Sequence, residues 1–291
     1  MIPNQNPIFT IVIPTLNEEK YLPALLKDLK DQSYKDFEII IVDGKSTDYT
    51  VKEALKFNNK LSQVIISSNN RNVATQRNLG AKRAMSKWII FMDADNRLPD
   101  FFLEGIKYRI LQEKPDIFTT WCDVDSKDSS EKIIGKYLNV SGEFLKLIEY
   151  PAALGSMIGV KKSIFNKYGG FDPKKVPLED GDYIRKVVNQ GFKFEYFRDP
   201  RYCYSLRRFR RSGKINTLKK YAQLQLKKLV KLSVNHEEEY PMGGSIKVIE
   251  NIGFGDLILT EKVKNKLKRI VSKPLVKKKI TSFINSVKNS F

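Results

Sequence analysis

The chain has 291 residues, 41% of them hydrophobic and 11% aromatic, which is enough to bury a core and excludes a chain that is disordered throughout. No apolar run approaches the roughly 18 residues of a membrane span, the N-terminus lacks the layout of a secretory signal, and two cysteines make no disulfide framework, so we expect a cytoplasmic protein. The net charge of +19 is concentrated in residues 201–291, which carry +16, while residues 1–200 carry only +3.

Predicted strands and helices alternate from residue 8 to residue 197. An apolar run at 8–14 is followed by leucines at helical spacing, namely Leu22, Leu25, Leu26 and Leu29. Further strands are predicted at 37–44, 63–68, 87–95, 116–124 and 192–197, and further helices within 45–57, 72–85, 99–114 and 177–191. This alternation predicts an α/β fold with a mostly parallel sheet and helices on both faces. We expect a catalytic domain over 1–212 and a basic helical extension over 213–291.

Acidic side chains stand at the predicted strand ends, where open parallel sheets bind their ligands. Glu18 follows the first strand, Asp43 lies at the end of the second, and Asp93 and Asp95 follow the apolar run of the fourth. Carboxylates that converge on one edge repel each other unless a cation or hydrogen-bond donors lie among them, and Mg²⁺ and Mn²⁺ prefer oxygen ligands. The pattern therefore predicts a divalent metal on Asp93 and Asp95. The alternative is a turn that begins at Asp95, with Asp100 capping the next helix.

Six segments resemble, in order and spacing, the family 2 glycosyltransferases of GT-A fold, including enzymes of the dolichyl-phosphate-sugar synthase type. The segments are IVIPTLNEE, IIIVDGKSTDYT, NVATQRNLGAKRA, IIFMDAD, GSMIGVKKSIFNKYGGFDP and LEDGDYIRKV, and the resemblance extends to about residue 212. It implies a GT-A fold, a UDP- or GDP-sugar donor, a Mn²⁺ or Mg²⁺ cofactor and transfer with inversion at the anomeric carbon.

The resemblance implies a nucleotide site in the loops after the first two strands. Pro14, Leu16 and Glu18 after the first strand, and Asp43 at the end of the second, are expected to hold the base and ribose of the sugar nucleotide. The alternative from the residues alone is a plain loop and helix start, with Asp43 engaged in a turn. The chain departs from the family pattern at Gly44, where a second acid is common, so a base contact from that position is not implied.

The resemblance also assigns the acids after the fourth strand and two arginines. Asp93, Ala94 and Asp95 are expected to bind the ribose and the metal on the diphosphate. An arginine in or just before the third helix often helps to hold the nucleotide in such enzymes, and Arg71 and Arg77 are the candidates. These residues complete the predicted donor site on the sheet.

Glu179 and Asp180 form a second acidic pair. Transfer to a hydroxyl needs a base that removes its proton as the oxygen attacks the anomeric carbon, and a carboxylate within hydrogen-bond reach can serve. In the enzymes that the chain resembles, the second acid of this pair is the base, so Asp180 is predicted as the general base and Glu179 as the residue that orients it or the acceptor. A phosphate acceptor is already ionised and would need no base. The alternative is an acidic first turn of a helix.

The basic extension is expected to meet an anionic surface. Arg207 and Arg208 offer planar donors that suit the diphosphate of the donor, and a solvated basic face is an equally good interpretation. Within 214–291, the segments 215–234 and 275–291 carry apolar residues on one helical face beside lysines, which favours a helix in a membrane interface over one packed on the domain. We therefore expect a peripheral protein at the cytoplasmic membrane face, with a glycan or a polyprenyl-linked acceptor.

Rival functions share part of these signals. A haloacid-dehalogenase-type phosphatase also has two aspartates one residue apart after an apolar strand, but its motif wants Thr or Val where Arg97 stands. A nucleic-acid-binding protein is suggested by the charge of +19, yet that charge lies in the extension and no known reading helix or aromatic RNA motif appears, so no nucleic-acid partner is expected. A dinucleotide-dependent oxidoreductase is disfavoured because the loop PTLNEE has no glycine.

Overall fold

The computed structural model describes residues 7–175, 179–213, 268–269 and 272–288. Its strands are β1 (Phe9–Thr15), β2 (Phe37–Asp43), β3 (Gln63–Ser67), β4 (Trp88–Met92), β5 (Ile117–Val124), β6 (Met157–Lys161) and β7 (Phe194–Tyr204). Its helices are α1 (Leu22–Lys30), α2 (Thr50–Leu55), α3 (Val73–Arg83), α4 (Phe102–Glu113), α5 (Ser129–Leu147), α6 (Lys162–Tyr168), α7 (Glu179–Val188), α8 (Arg207–Ser212) and α9 (Pro274–Lys288).

The described strands form one sheet in the order β3-β2-β1-β4-β6-β5-β7. β1 to β4 run parallel to one another, and β7 runs parallel to β5. β6 runs antiparallel to both of its neighbours, β4 and β5. The predicted α/β fold with a mostly parallel sheet is confirmed, whereas neither β6 nor its reversed direction is predicted from the sequence.

Helices cover both faces of the sheet, as the sequence predicts. On one face, the leucines of α1 are fully buried against β1 and the first turns of α4. On the other face, Ala81 of α3 and Ile184 of α7 lie in one cluster with Val12 of β1. Gly80 allows α3 to approach β1, since a Cβ there would lie 2.4 Å from Val12 Cγ1. Successive residues of each buried strand contact opposite helical layers, and this explains why the strands are apolar throughout.

Besides β6 and the short helices α6 and α8, which the sequence does not predict, two elements differ from the expectation. The stretch after β5, for which no element is predicted, contains the 19-residue helix α5. Asn139 of α5 donates to the Cys122 carbonyl at 2.8 Å and accepts from the Cys122 N–H at 2.9 Å, where the pairing of β5 with β7 shifts register. β7 continues to Tyr204 rather than ending near residue 197. The apolar residues of α5 do recur at helical spacing, so the sequence carries a signal for this helix that the prediction missed.

The chain divides into two compact units. The first comprises residues 1–139 and 152–205 and contains the sheet, and the second comprises residues 140–151 and 206–291. The predicted boundary at residue 212 stays a prediction.

The second unit includes α9, which confirms a helix within the predicted segment 275–291. The lysines at 277–279 are exposed, Val276 is buried, and Ile284 is 48% exposed. The other helix predicted in the extension, at 215–234, lies outside the described residues. None of the described helices is long and apolar enough to cross a membrane.

Candidate active site

The carboxyl ends of β1, β2 and β4 lie side by side because these strands are parallel neighbours. Thr15 at the end of β1 pairs with Asp43 at the end of β2, and the Thr15 hydroxyl donates to the Asp43 carboxylate at 3.1 Å. Ser46 donates to the same carboxylate from its backbone N–H at 2.9 Å and from its hydroxyl at 2.6 Å. Asp43 therefore has the turn role that the residues alone suggested, and its contact with a nucleotide stays a prediction.

The loops after β1 and β2 are hydrogen-bonded to each other. Asn17 has a φ of 57°, in the left-handed region that asparagine tolerates better than most residues. Its own N–H donates to Ser46 Oγ at 2.9 Å, and its side-chain oxygen accepts from the Thr47 N–H at 2.8 Å. The Glu18 N–H donates to Thr50 Oγ1 at 2.7 Å, at the start of α2. The predicted nucleotide loops thus form one connected structure.

Arg77 lies at the centre of a buried ion-pair cluster. Its Nη1 donates to Glu179 Oε1 at 2.9 Å, and its Nη2 donates to Asp93 Oδ1 at 3.0 Å and to the Gly155 carbonyl at 2.8 Å. The side chain is 3% exposed, and the ring of Phe171 lies 5.4 Å from the guanidinium carbon. Burial lowers the pKa of Arg77, but Asp93 and Glu179 raise it by more, so the guanidinium stays charged. One cation therefore holds two acids that are far apart in the sequence.

Gln76 helps α3 to bring Arg77 to this place. Its Nε2 donates to the carbonyls of Thr15 and Val42, at 2.8 Å each, and so ties α3 to the ends of β1 and β2. Sequence reasoning missed Gln76. The one signal available is its position next to Arg77 in a helix that has few apolar residues.

Glu179 and Asp180 begin α7, as predicted. Burial and the adjacent Asp180 raise the pKa of Glu179 to about 7, against the opposing effect of Arg77. The Asp180 side chain is half-buried, lies against Gly155, and accepts from the Gly181 N–H at 2.6 Å. The pair combines a buried acid bonded to Arg77 with a more exposed acid beside it.

Asp93 and Asp95 follow β4 and are both partly exposed. The Asp93 N–H donates to the Ser156 carbonyl at 3.0 Å, and the Asn96 Nδ2 donates to the same carbonyl at 2.6 Å. The Asn96 N–H also donates to the Asp93 carbonyl at 3.2 Å, so a turn does follow the strand. Asp100 is exposed, and α4 begins without a side-chain cap, so that part of the alternative interpretation is wrong.

The other predicted site residues have less specific positions. Pro14 is buried within β1 and Leu16 is half-buried in the loop that follows, while Ala94 is buried. Arg71 is exposed just before α3. The remaining two arginines, Arg207 and Arg208, lie in α8 of the second unit. The binding roles of all these residues stay predictions.

Solved structures share this fold. The mannosyltransferase PcManGT from Pyrobaculum calidifontis, in complex with GDP-Man and Mn²⁺, has a TM-score of 0.63 at 18% identity and covers 80% of this chain and 66% of its own. TarS 1–349 of Staphylococcus aureus, in complex with UDP, has a TM-score of 0.55 at 19% identity and covers 79% of this chain and 68% of its own. The fold is therefore that of the GT-A glycosyltransferases, as the resemblance implies.

Residues 10–169, more than half of the chain, match the glycosyl transferase family 2. The chain belongs to that family. It is 27% identical over 190 residues to an uncharacterized glycosyltransferase of Haemophilus influenzae, and the match covers 63% of each chain. The chain thus spans less than two thirds of the length of that relative.

Proposed function

We propose that the chain is a metal-dependent glycosyltransferase that moves a sugar from a nucleoside-diphosphate sugar to a glycan or lipid-linked acceptor, with inversion at the anomeric carbon. One observation carries the proposal. Arg77 binds Asp93, after β4, at 3.0 Å and Glu179, next to Asp180, at 2.9 Å. The predicted donor acid and the predicted base pair are therefore neighbours at the sheet edge where open α/β folds bind their ligands.

A UDP- or GDP-sugar donor is supported by proteins of the same fold. TarS forms complexes with UDP and with UDP-GlcNAc, and PcManGT forms one with GDP-Man and Mn²⁺. In this chain the connected loops after β1 and β2 would hold the base and ribose, and the residues after β4 the diphosphate. The proposed donor site comprises Pro14, Leu16, Glu18, Asp43, Asp93, Ala94 and Asp95.

A divalent cation, Mn²⁺ or Mg²⁺, fits the acids after β4. Among the residues that the structure describes, no group of three or more His, Cys, Asp or Glu side chains could enclose a metal. Such ions commonly bind one or two carboxylates and take their other ligands from substrate phosphates and water, which suits Asp93, 37% exposed, and Asp95, half-buried. Asp93 and Asp95 would hold the ion together with the donor diphosphate, and the chemistry it supplies is stabilisation of the leaving nucleoside diphosphate.

Asp180 is the proposed general base for a hydroxyl acceptor. It is more exposed than Glu179, which is 6% exposed and bonded to Arg77, so Asp180 is the acid that an acceptor can reach. As the acceptor oxygen forms its bond to the anomeric carbon, the bond from that carbon to the diphosphate oxygen breaks, and the hydroxyl proton passes to Asp180.

Peripheral membrane association is proposed for the same enzyme, with a polyprenyl-linked acceptor. It rests on α9, whose lysines at 277–279 are exposed and whose Ile284 is 48% exposed. Each basic residue near an anionic surface contributes about 1 kcal/mol of attraction. In co-sedimentation with phosphatidylserine vesicles, the full chain with Lys277, Lys278 and Lys279 changed to Glu should pellet less than wild type. Equal pelleting would remove this part of the proposal.

The donor is tested by thermal shift of the full chain with Mn²⁺ and a panel of UDP- and GDP-sugars. At least one donor should raise the Tm of wild type, because a ligand that binds only the folded state stabilises it. The rise should disappear in Asp95→Ala and persist in Asp100→Ala, a matched exposed acid from the following loop. No shift with any donor, together with tight and salt-sensitive binding of nucleic acid, would favour the rival function.

A further inference from the structure

We propose that Arg77 is a positioning residue that sets the predicted base pair, Glu179 and Asp180, at a fixed distance from the donor acid Asp93, rather than a ligand of the nucleotide. The inference rests on the proposed function. It adds a residue whose role would be to align the proposed general base with the proposed donor site.

Both Nη atoms of the Arg77 guanidinium are hydrogen-bonded, and the side chain is covered, including an Nε that has no partner among the described residues. Nη1 bonds to Glu179, and Nη2 bonds to Asp93 and to the carbonyl of Gly155. The side chain is 3% exposed, with the Phe171 ring 5.4 Å from its guanidinium carbon. A nucleotide phosphate would have to displace Asp93 or Glu179 to reach an Nη atom, and removing a partner from a buried arginine is costly.

The two acids differ in how far they depend on Arg77. Asp93 is also held by its backbone, because its N–H donates to the Ser156 carbonyl and its carbonyl accepts from the Asn96 N–H. Glu179 is also held by its backbone, as the first residue of α7, but it is 6% exposed, against 37% for the Asp93 side chain. Without Arg77 the Glu179 carboxylate would stay buried and lose its cation, whereas water can solvate Asp93. Loss of Arg77 should therefore shift the start of α7 more than it shifts the donor acid.

This difference predicts that replacing Arg77 affects kcat and donor affinity to different extents. If Arg77 positions Asp180 through Glu179, its replacement should lower kcat, because a reacting group displaced by about 1 Å can cost on the order of a hundredfold in rate. Donor affinity should change much less. If Arg77 were a direct ligand of the nucleotide, its replacement would weaken donor affinity more than it lowers kcat.

The test is a double-mutant cycle on the full chain, with wild type, Arg77→Lys, Glu179→Gln and the double variant. We measure kcat for donor turnover with Mn²⁺ and the active sugar nucleotide, the Kd of the matching nucleoside diphosphate, and the Tm. Arg77→Lys keeps the charge and loses the two-pronged geometry. It should lower kcat by roughly tenfold or more and change Kd by less than about threefold, and it should cost little further in the Glu179→Gln background.

Arg83→Gln is the control on the same helix, since Arg83 is exposed in the last turn of α3. The inference would be overturned if the two substitutions lowered kcat independently, so that their effects multiplied in the double variant. It would also be overturned if Arg77→Lys weakened nucleotide affinity by as large a factor as it lowered kcat. If Arg77→Lys does not fold, Arg77→Met with Glu179→Gln removes both charges together, and full retention of the kcat of Glu179→Gln is then the expected result. A wild-type chain that binds no nucleoside diphosphate overturns the proposed function itself, which separates the two failures.

Discussion

Gly155 and Asp180 are so close that a Cβ built on Gly155 would lie 2.8 Å from Asp180 Oδ2. The same Cβ would lie 3.2 Å and 3.3 Å from the two Nη atoms of Arg77. Gly155→Ala should therefore push the Asp180 carboxylate away from its place and lower kcat by roughly tenfold or more, because the general base loses its alignment. The measurement is donor turnover with a hydroxyl acceptor, beside the Tm.

The control for Gly155→Ala is the same change in an Asp180→Asn chain. If the glycine acts by leaving room for Asp180, the second change should cost almost no further kcat. Full activity of Gly155→Ala would show that the carboxylate can move without consequence.

Asp180→Asn distinguishes the two acceptor classes. With a hydroxyl acceptor, loss of the base should lower kcat by about 10²- to 10⁴-fold. With a phosphate acceptor, which is already ionised, kcat should be nearly unchanged. Asp182→Asn, two residues further along α7, is the matched control, because Asp182 is bonded to Arg185 and has no assigned part in transfer. Unchanged turnover of a hydroxyl acceptor by Asp180→Asn would contradict the assignment of the base.

Glu179 should make the stability of the chain depend on pH. Burial and Asp180 raise its pKa from 4.5 to about 7, with Asp93 adding to the rise and Arg77 opposing it. The folded chain therefore holds this proton more tightly than the unfolded chain, so the stabilisation is complete below 4.5 and is lost as the pH rises to about 7. The Tm of wild type relative to Glu179→Gln should fall between about pH 5 and about pH 8. A difference in Tm that stays flat or rises would contradict the raised pKa.

Asp28 should contribute to stability through three hydrogen bonds. It accepts from Arg97 Nε at 2.6 Å, from Arg97 Nη2 at 2.8 Å and from the Leu98 N–H at 2.9 Å, and its side chain is 11% exposed. Asp28→Ala should lower the free energy of unfolding by about 1–3 kcal/mol. Asp31→Ala, an exposed acid that follows the same helix, should change it by about 0.5 kcal/mol or less. Urea unfolding compares the two variants, and equal losses would show that the three hydrogen bonds of Asp28 add nothing to stability.

The sequence predicts the described strands other than β6, because buried parallel strands are apolar over their whole length. It predicts α1 for a related reason, since its four leucines recur at helical spacing and all are fully buried. It predicts neither α5 nor β6. The bonds of Asn139 in α5 to the backbone of β5 are tertiary contacts, which helical periodicity does not indicate.

Only part of the candidate site can be predicted from the sequence, because the rest depends on tertiary contacts. The acids at the strand ends can be found from topology, because carboxyl ends of parallel strands share an edge. The role proposed for Arg77 depends on residues 77, 93, 155 and 179 meeting in space, and helical periodicity alone does not place an arginine among them. For Asp43, the structure adds the bonds to Thr15 and Ser46 that turn chemistry would also produce.

The antiparallel β6 changes which groups lie at the sheet edge of the candidate site. Met157 pairs with Met92, so β6 starts where β4 ends, and the two peptide groups before it, at Gly155 and Ser156, arrive at that edge. Their carbonyls accept from Arg77 and from the Asp93 N–H, respectively. A strand of the opposite direction would bring its last residues there instead. The reversal thus supplies neutral oxygen acceptors among crowded carboxylates, and these satisfy Arg77 Nη2 and the Asp93 N–H without adding further negative charge.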